Sequence, residues 1–468
     1  MGRIPRRPIA FALVALAASS CTSTTSTPRA QPSSPARTSA TTAPTQTQQA
    51  SRPPSLPDWP TYHGRDDRSG AADADPLRPP LTVAWRKRLD GKLYAQPIVA
   101  AGQVIAATEN NTLYALDPRT GAARWSRHLA PPARLANLPC GNIDPSGITG
   151  TPAYDARSGL VFAVTESTNA RHVLWGVAAR TGKVRWRRSV DVASGRDPKA
   201  QQERGAVLVT GGRVVVAFGG RYGDCGNYVG YVVSVATDGG GSTHVYAVPT
   251  AREAGIWAAA GPIVGPGGDI YVASGNGAEV GGRYDGSDSV IRLSSTLQRK
   301  EFFAPSVWSQ DNAEDLDLGA MSPVAVGDRV VIAGKRGVVY LLDATLGGIG
   351  GQVASIDGCA GYGGGAVAGA TAYLPCASGV RALAVTSSGR LRWLWGPVSG
   401  LLSPALARGV VYALDQNDGA LVELDARTGH RRGAVAVGTV TRFATPAPVG
   451  RCVFVGTTSG VVAVVGKS

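Results

Sequence analysis

From Trp59 onward the chain repeats one unit eight times, and this repetition constrains the fold more than any other feature. Each unit opens with a short apolar strand, followed by a turn and further short strands. The opening strands recur every 38 to 61 residues and are marked by Pro97, Pro152, Ala206, Pro262, Pro323, Ala366, Pro404 and Pro446. Periods of about 40–50 residues with three or four short strands each are typical of propeller blades. We therefore expect an all-β, eight-bladed β-propeller with four-stranded antiparallel blades.

The composition favours this class and argues against helical ones. Glycine accounts for 61 of the 468 residues, and charged residues for only 17%. A helical bundle or coiled coil would need heptads rich in Ala, Glu, Lys and Leu, whereas glycine suits many turns between short strands. The hydrophobic content of 43% is enough for a packed core, so the chain as a whole is not disordered.

One turn element shows how the third strand of a unit leads into a fourth. Asp117 can accept backbone N–H bonds within the turn, and Gly121 supplies the positive φ of a bulged hairpin. Trp125 then lies on the following strand, where its ring can pack against the neighbouring blade. The element recurs in part at Ala178, Thr181, Gly182 and Trp186, and again at Asp425, Thr428 and Gly429.

The two ends of the repeat region predict how the ring closes. The last unit ends with a strand at 460–465, and only three residues follow it. The strand at 83–89 precedes the first full unit and has no partner there. We expect this N-terminal strand to complete the last blade, because such closure removes the exposed sheet edges that promote aggregation.

Residues 1–20 have the layout of an export signal peptide. A basic start precedes about ten apolar residues at 9–18, a run too short to span a bilayer and suited to a signal-peptide core. Cys21 follows Ser19 and Ser20, as at the site where bacterial lipoproteins are acylated. Such sites usually carry Leu where Ala18 stands, and Ala18 with Ser20 also fits ordinary cleavage. We expect a lipid anchor on Cys21 at the outer face of the cytoplasmic membrane, with simple secretion as the alternative.

Residues 21–56 are mostly Ser, Thr, Pro, Ala and Gln and are predicted to form a disordered tether, because they cannot bury enough apolar surface. The propeller is then assigned to 57–468. The formal net charge of +14 attracts acidic polymers without specificity. The sequence has no Lys/Arg run with interleaved aromatics. We therefore expect no nucleic-acid partner, and instead a protein or a cell-wall polymer.

Five cysteines remain after Cys21. Cys359 and Cys376 fall in one unit, on either side of its first strands, and are predicted to pair. Cys140 and Cys225 lie in glycine-rich loops of adjacent units and form the second predicted disulfide, since an exported protein can oxidise them. Cys452 is expected to stay a buried thiol. The five histidines are scattered without metal-ligand spacing, which argues against a zinc site.

The stretch from Ala115 to Trp125 resembles the tryptophan-docking motif of the pyrroloquinoline-quinone (PQQ) repeat propellers. The Trp-Pro-Thr-Tyr-His-Gly run at 59–64 is similar to the lead-in before their first blade. The resemblance covers roughly Trp59 to the end and implies the same fold. The family contains quinoprotein alcohol dehydrogenases, which hold PQQ and Ca²⁺ on the propeller axis. It also contains non-enzymatic propellers, such as the outer-membrane assembly lipoprotein, which bind protein partners.

The resemblance implies a set of site residues, at the positions where the dehydrogenases keep theirs. Trp257 would lie under the flat cofactor, and Lys335 would stand beside the quinone oxygens. Asn276 and Asp224 would ligate Ca²⁺, a hard cation that oxygen ligands suit. Asp317 resembles the catalytic Asp that takes a proton from the alcohol.

Each of these residues also has a purely structural interpretation. Trp257 can pack in the core, and Asn276 can occupy a left-handed turn between glycines. Asp317 can cap a strand, and Lys335 can be a solvated turn residue. The dehydrogenases' adjacent cysteine pair is absent, as is a Cys-x-x-Cys-His haem motif. Because fold does not imply function, we expect a binding or scaffolding propeller at the cell envelope. A PQQ- and Ca²⁺-dependent alcohol or sugar dehydrogenase, or a degenerate relative, is the alternative.

Overall fold

A computed structural model describes residues 56–191 and 195–467 of the protein. The predicted signal peptide, Cys21 and all but the last residue of the predicted tether lie outside the described residues. The described chain forms eight antiparallel sheets arranged as the blades of a propeller, which confirms the predicted fold. None of its helices is long and apolar enough to cross a membrane.

The first four blades follow the chain in order. Blade 1 consists of Ile98–Ala100, Gln103–Ala107, Thr112–Leu116 and Ala123–His128. Blade 2 consists of Ala153–Asp155, Leu160–Glu166, His172–Ala178 and Val184–Ser189. Blade 3 consists of Gln201–Glu203, Leu208–Thr210, Arg213–Gly220, Tyr231–Ala236 and His244–Ala247. Blade 4 consists of Ile263–Val264, Ile270–Ala273, Val290–Leu293, Arg299–Ala304 and Gly348–Ile349.

The other four blades complete the ring. Blade 5 consists of Val324–Val326, Arg329–Ala333, Val338–Asp343 and Ala354–Asp357. Blade 6 consists of Ala366–Ala368, Thr371–Cys376, Gly379–Val385 and Leu391–Val398. Blade 7 consists of Ala405–Ala407, Val410–Asp415, Ala420–Asp425 and Arg431–Ala436. Blade 8 consists of Ala447–Val449, Cys452–Thr457, Gly460–Val465 and Thr82–Arg88.

Two blades carry one strand more than the four that the repeat predicts. In blade 3, Leu208–Thr210 pairs with only the first part of the long strand Arg213–Gly220, and Gln201–Glu203 pairs with the rest. In blade 4, Gly348–Ile349 lies parallel to the outer strand Arg299–Ala304. Both additions cover strand edges that a four-stranded blade would leave open.

Short helices occupy the connections between strands. One α-helix spans Trp308–Glu314, between blades 4 and 5. Single 3₁₀ turns lie at Tyr62–Gly64, Leu135–Asn137, Pro266–Gly268 and Leu318–Ala320.

Burial follows the position of a strand within its blade. The innermost strand of blade 1, Ile98–Ala100, is fully buried, whereas the outermost strand Ala123–His128 is mostly exposed. The apolar cores lie between neighbouring blades, as where Leu113 of blade 1 shares a cluster with Val161 of blade 2. Strands that are buried on both faces need apolar residues throughout, which explains the short Val/Ala/Ile-rich runs.

The ring closes as the sequence predicts. Thr82–Arg88 pairs antiparallel with Gly460–Val465 and forms the outer strand of blade 8. The register joins Thr82 to Val465 and Arg88 to Gly460. Both ends of the propeller therefore share one sheet, and no blade is left with a missing strand.

Tryptophans of the outer strands fasten blades 8, 1, 2 and 6 to the next blade of the ring. The Trp85 indole N–H donates to the carbonyl of Pro118 at 3.0 Å, and its ring covers Gly121. Trp125 donates in the same way to the carbonyl of Ala179 at 2.9 Å and covers Gly182. The same contact joins Trp186 to Gly239 and Trp395 to Gly429. The predicted packing of Trp125 on the neighbouring blade is confirmed.

The propeller axis has two distinct mouths. In a four-stranded antiparallel blade, the connection from the previous blade and the connection between the second and third strands emerge at the same end. We call this end the loop mouth. The opposite end, where a hairpin turn joins the innermost strand to the second strand, is the turn mouth.

A segment before the first strand, residues 59–72, fills the axis from the turn mouth, and we call it the plug. The Trp59 N–H donates to the Val99 carbonyl of blade 1, and the Tyr62 hydroxyl bonds Thr445 before blade 8 at 2.9 Å. Plug carbonyls or hydroxyls also bond the backbones of Tyr154, Val207, Val264, Val367 and Leu406. Because these residues belong to five further blades, the plug ties opposite sides of the ring together.

Both predicted disulfides are present. Cys140 and Cys225 join loops of adjacent units, with a Cα–Cα distance of 6.2 Å, and Cys359 joins Cys376 at 5.0 Å. Cys452 was expected to be buried but is half-buried, because it lies at the start of its strand, beside the turn that follows the innermost strand.

We predict that Gly121→Ala destabilises the protein more than Gly159→Ala does. Both glycines have φ of +69°, so each substitution carries the same left-handed strain of roughly 1–2 kcal/mol. A Cβ on Gly121 would also lie 2.6 Å from the Trp85 ring, whereas nothing lies within 4 Å of one on Gly159. Overpacking typically costs a further ~1–3 kcal/mol. Denaturant unfolding of both variants measures the difference, and equal losses would show that the Trp85 contact contributes nothing.

Candidate functional site

The five residues that the family resemblance singles out all lie in connections that emerge at the loop mouth. Asp224 follows the long strand Arg213–Gly220 of blade 3. Asn276 and Lys335 follow the second strands of blades 4 and 5. Trp257 and Asp317 lie in the connections that enter blades 4 and 5. The alternation of the strands thus gathers residues that are far apart in sequence at one end of the axis.

Asp317 is the centre of a bonded network. Its Oδ1 accepts the backbone N–H of Asn276 at 2.8 Å, and its Oδ2 lies 2.6 Å from Lys335 Nζ. Lys335 Nζ also lies 2.7 Å from Asp315. A Cβ on Gly275 would lie 1.9 Å from Asp317 Oδ1, so only glycine leaves room for this carboxylate. The structure therefore brings Asn276, Asp317 and Lys335 into direct contact.

Burial and charge act in opposite directions on Asp317. Its side chain is only 7% exposed, and burial raises the pKa of the carboxyl, while the Lys335 ammonium lowers it. The two neighbouring carboxylates raise the pKa of Lys335 in turn, although burial opposes them. Asp288, which accepts the N–H of Leu318 at 2.8 Å, is buried behind Asp317. Its pKa is raised well above the usual range, first by burial and then by the charge of Asp317.

Asp224 lies at the side of this network. Its carboxylate accepts the Tyr228 hydroxyl, and burial together with that carboxylate raises the pKa of Tyr228. Glu253 pairs with Arg252 at 2.9 Å, and its pKa is raised first by burial and also by the charges of Asp224 and Asp317, while Arg252 lowers it. The loop mouth between blades 3 and 5 is therefore acidic, with Lys335 as its internal cation.

Trp257 lies beside a second, basic part of the mouth, which contains Phe443 and two arginines. Its half-buried ring lies 6.3 Å from that of Phe443, at an interplanar angle of 54°. The Arg204 and Arg442 guanidinium carbons lie 5.0 and 5.1 Å from the Phe443 ring centroid. Arg442 also lies over Tyr362, at 5.7 Å.

The basic part was missed by the sequence analysis, although a signal for it exists. Arg204 stands two residues before the Ala206 marker of unit 3, and Arg442 and Phe443 stand just before the Pro446 marker of unit 8. Positions that directly precede an opening strand face the loop mouth in every blade. The repeat period alone would therefore have nominated these three residues.

The residues present do not fit a calcium ion. Both oxygens of Asp317 are bonded within the protein, one by a lysine ammonium, and Asp224 accepts a tyrosine hydroxyl. A hard cation of this kind takes six to eight oxygen ligands. In the described ranges no group of three or more His, Cys, Asp or Glu side chains is placed to hold a metal. The predicted ligation by Asn276 and Asp224 therefore has no further support from the geometry.

Three buried glutamates lie on the opposite side of the mouth, near Arg204. Glu166 pairs with Arg221, and both side chains are at most 3% exposed. Glu109 accepts the N–H of Gly147 at 2.7 Å, and Glu203 accepts that of Gly150 at 3.2 Å. Burial raises the pKa of Glu109 to about 7, and burial with the neighbouring glutamates raises that of Glu203.

The chain resembles known proteins at the level of sequence and of fold. A family model for the outer membrane protein assembly factor BamB matches residues 82–295 and 335–468. A curated relative, the outer membrane protein assembly factor BamB of Moranella endobia (strain PCIT), is 30% identical over 94 residues. These are 20% of this chain, and the match spans 23% of that relative's length.

Two solved structures show the shared architecture. A quinohemoprotein alcohol dehydrogenase from Pseudomonas putida HK5 has a TM-score of 0.68 at 14% identity, covering 88% of this chain and 81% of its own. BamB from Moraxella catarrhalis has a TM-score of 0.58 at 16% identity, covering 83% of this chain and 100% of its own. At such identities the likeness shows the propeller fold alone.

We predict that the protein loses stability as the pH rises from about 4.5 to 7. The folded chain holds a proton on Glu109 up to a pKa of about 7, whereas the ordinary value is 4.5. The folded state therefore binds more protons in this window, and the free energy of unfolding falls by roughly 3 kcal/mol. Glu109→Gln should flatten this fall, and the exposed Glu301→Gln should not. Denaturant unfolding at pH 4.5 and 8 tests this, and an unchanged slope in Glu109→Gln contradicts it.

Proposed function

The chain belongs to the family of the outer membrane protein assembly factor BamB, and we propose that it is an exported propeller that binds a protein or cell-wall polymer at its loop mouth. The family match supports this function, because BamB is an outer membrane protein assembly factor. The proposal gives the chain no catalytic step.

The hydrogen bond and the ion pair of the Asp317 carboxylate are the main support for a binding function. A catalytic base must offer a free oxygen to the proton that it takes. Here one Asp317 oxygen accepts the Asn276 N–H, and the other faces Lys335 at 2.6 Å. A carboxylate paired in this way positions loops of blades 4 and 5, which suits a rigid binding surface.

We place the protein outside the cytoplasm. Disulfides persist in oxidising compartments, and the two described here link loops at the loop mouth. The sequence of residues 1–21 supports export and acylation of Cys21, with the propeller held at the outer face of the cytoplasmic membrane by a tether. Simple secretion is the alternative for the same signal.

One observation favours a second function, that of a PQQ-dependent dehydrogenase. Asn276, Asp317 and Lys335 are in contact, and Trp257 lies at the same mouth, two residues from Gly255, whose carbonyl accepts the N–H of Gly275. A shared cofactor would need such convergence. We rank this function second because the carboxylates of Asp317 and Asp224 are already bonded to groups of the protein and do not face an open site.

Titration with PQQ in excess Ca²⁺ separates the two functions. For the purified full-length chain we expect no stoichiometric binding by equilibrium dialysis, and no quinone-dependent alcohol oxidation. Stoichiometric binding that Trp257→Ala weakens, together with turnover that Asp317→Ala abolishes, would establish the dehydrogenase and refute the binding-propeller function.

Fractionation of cells tests the anchor. We predict that Cys21→Ala moves the protein from the membrane fraction to the soluble fraction, because stable anchoring takes more than one acyl chain and the variant has none. Cys452→Ala is the matched control, since it removes the unpaired cysteine of the propeller and should leave the protein on the membrane. Membrane association of Cys21→Ala equal to that of the control would refute lipid anchoring.

A further inference from the structure

Two arginines share one aromatic ring at the loop mouth. The guanidinium carbons of Arg204 and Arg442 lie 5.0 and 5.1 Å from the centroid of Phe443, within the ~6 Å range of a cation–π contact. Arg204 lies between Gln201–Glu203 and Leu208–Thr210, the two inner strands of blade 3. Arg442 precedes Ala447–Val449, the innermost strand of blade 8. The two charges therefore approach the axis from different blades and meet over Phe443.

Neither arginine has an ion-pair partner in the part of the chain that the structure describes. Within residues 56–191 and 195–467, neither Arg204 nor Arg442 forms an ion pair with a carboxylate, although fifteen such pairs occur elsewhere. Burial and, after it, the charge of Arg442 lower the pKa of Arg204 to about 10, although Tyr94 and Glu109 act in the other direction. Two like charges held together without a counter-ion favour the binding of an anion.

The ring between the arginines is held in an uncommon conformation. Phe443 has φ of +67°, a left-handed value that is rare for a bulky side chain. Its loop is fixed on both sides, because Thr441 Oγ1 donates to the Leu93 carbonyl at 2.9 Å and Thr445 Oγ1 donates to the Phe443 carbonyl at 3.1 Å. Backbone strain of this kind clusters at ligand-binding sites.

A groove continues outward from the ring. It has a volume of about 420 Å³ and runs between the connections of blades 6 and 7. Arg442, Phe443 and Tyr362 form its inner end, and Gln416 and Asn417 line it further out. Amide side chains and backbone along an open groove suit an extended chain, whose carboxylates would reach Arg442 within the groove and Arg204, which does not line it, at the Phe443 ring.

From these observations we propose that the loop mouth binds an acidic segment of a protein partner, with its carboxylates at the Arg204 and Arg442 guanidinium groups beside the Phe443 ring. Charge complementarity selects this occupant, because planar guanidinium groups match carboxylates in fork geometry. The net charge, which is +11 (14 − 3) without Arg3, Arg6 and Arg7 of the predicted signal peptide, would steer an acidic partner toward the protein. The inference rests on the proposed binding function and names the class of partner.

A fluorescent peptide measures this site. The probe is an eight-residue peptide of alternating glutamate and glycine, and a glutamine–glycine peptide is its neutral counterpart. With the full-length chain we expect fluorescence anisotropy to show binding of the glutamate peptide only, weakened by salt. Arg204→Gln and Arg442→Gln should each weaken it about tenfold or more. Arg157→Gln, an exposed arginine at the turn mouth, should bind as the wild type does.

Each other outcome overturns the assignment in a recognisable way. Equal affinity of Arg442→Gln and Arg157→Gln, with both variants folded by thermal unfolding, would show that the arginines do not form the site. If neither peptide binds and PQQ does not bind, the acidic-segment proposal fails while the binding-propeller function stands. If PQQ binds and Arg204→Gln abolishes that binding, the mouth is a cofactor pocket and both proposals fail.

Discussion

The pairing of the first strand with the last is the interaction on which the rest of the structure depends. Thr82–Arg88 supplies the outer strand of blade 8, and its Trp85 covers Gly121 of blade 1. One strand thus completes a sheet and also fastens that sheet to its neighbour. Without it, blade 8 would expose a sheet edge and its contact with blade 1 would be lost, so the loops around the axis would have no fixed spacing.

That fixed spacing produces two different electrostatic arrangements at the same mouth. On the side of blades 4 and 5, Lys335 pairs with both Asp315 and Asp317, so each of these three charges has a partner within the protein. On the side of blades 3 and 8, Arg204 and Arg442 both contact the Phe443 ring, and neither forms an ion pair with another described residue. Paired charges stiffen the loops that carry them, whereas unpaired charges of one sign remain available to a ligand. The mouth therefore has one half in which charged side chains pair with each other, and another half in which we propose that a ligand binds.

The sequence predicted the architecture because the architecture repeats. The opening strands, the Thr-Gly turns and the tryptophan that follows them recur at a period typical of a propeller. The unpaired strand at the start and the missing fourth strand of the last unit implied the closure. In blade 3 the long strand Arg213–Gly220 pairs with both Gln201–Glu203 and Leu208–Thr210, and the sequence pattern did not predict this fifth strand. The contact of Arg204 with Phe443 joins residues of different blades, and it depends on the conformation of the loop at 441–445 rather than on local propensity.

The plug would limit how a ligand enters and leaves the propeller axis. Tyr62 is 2% exposed and bonds Thr445, so the plug lies across the axis on the side away from the loop mouth, and a ligand bound at the loop mouth, as we propose, would have one path in. A ligand that enters at the loop mouth must leave by the same path, and it cannot be displaced from behind. Its dwell time then depends on the loops around one opening, and a second molecule has to wait until the first has gone.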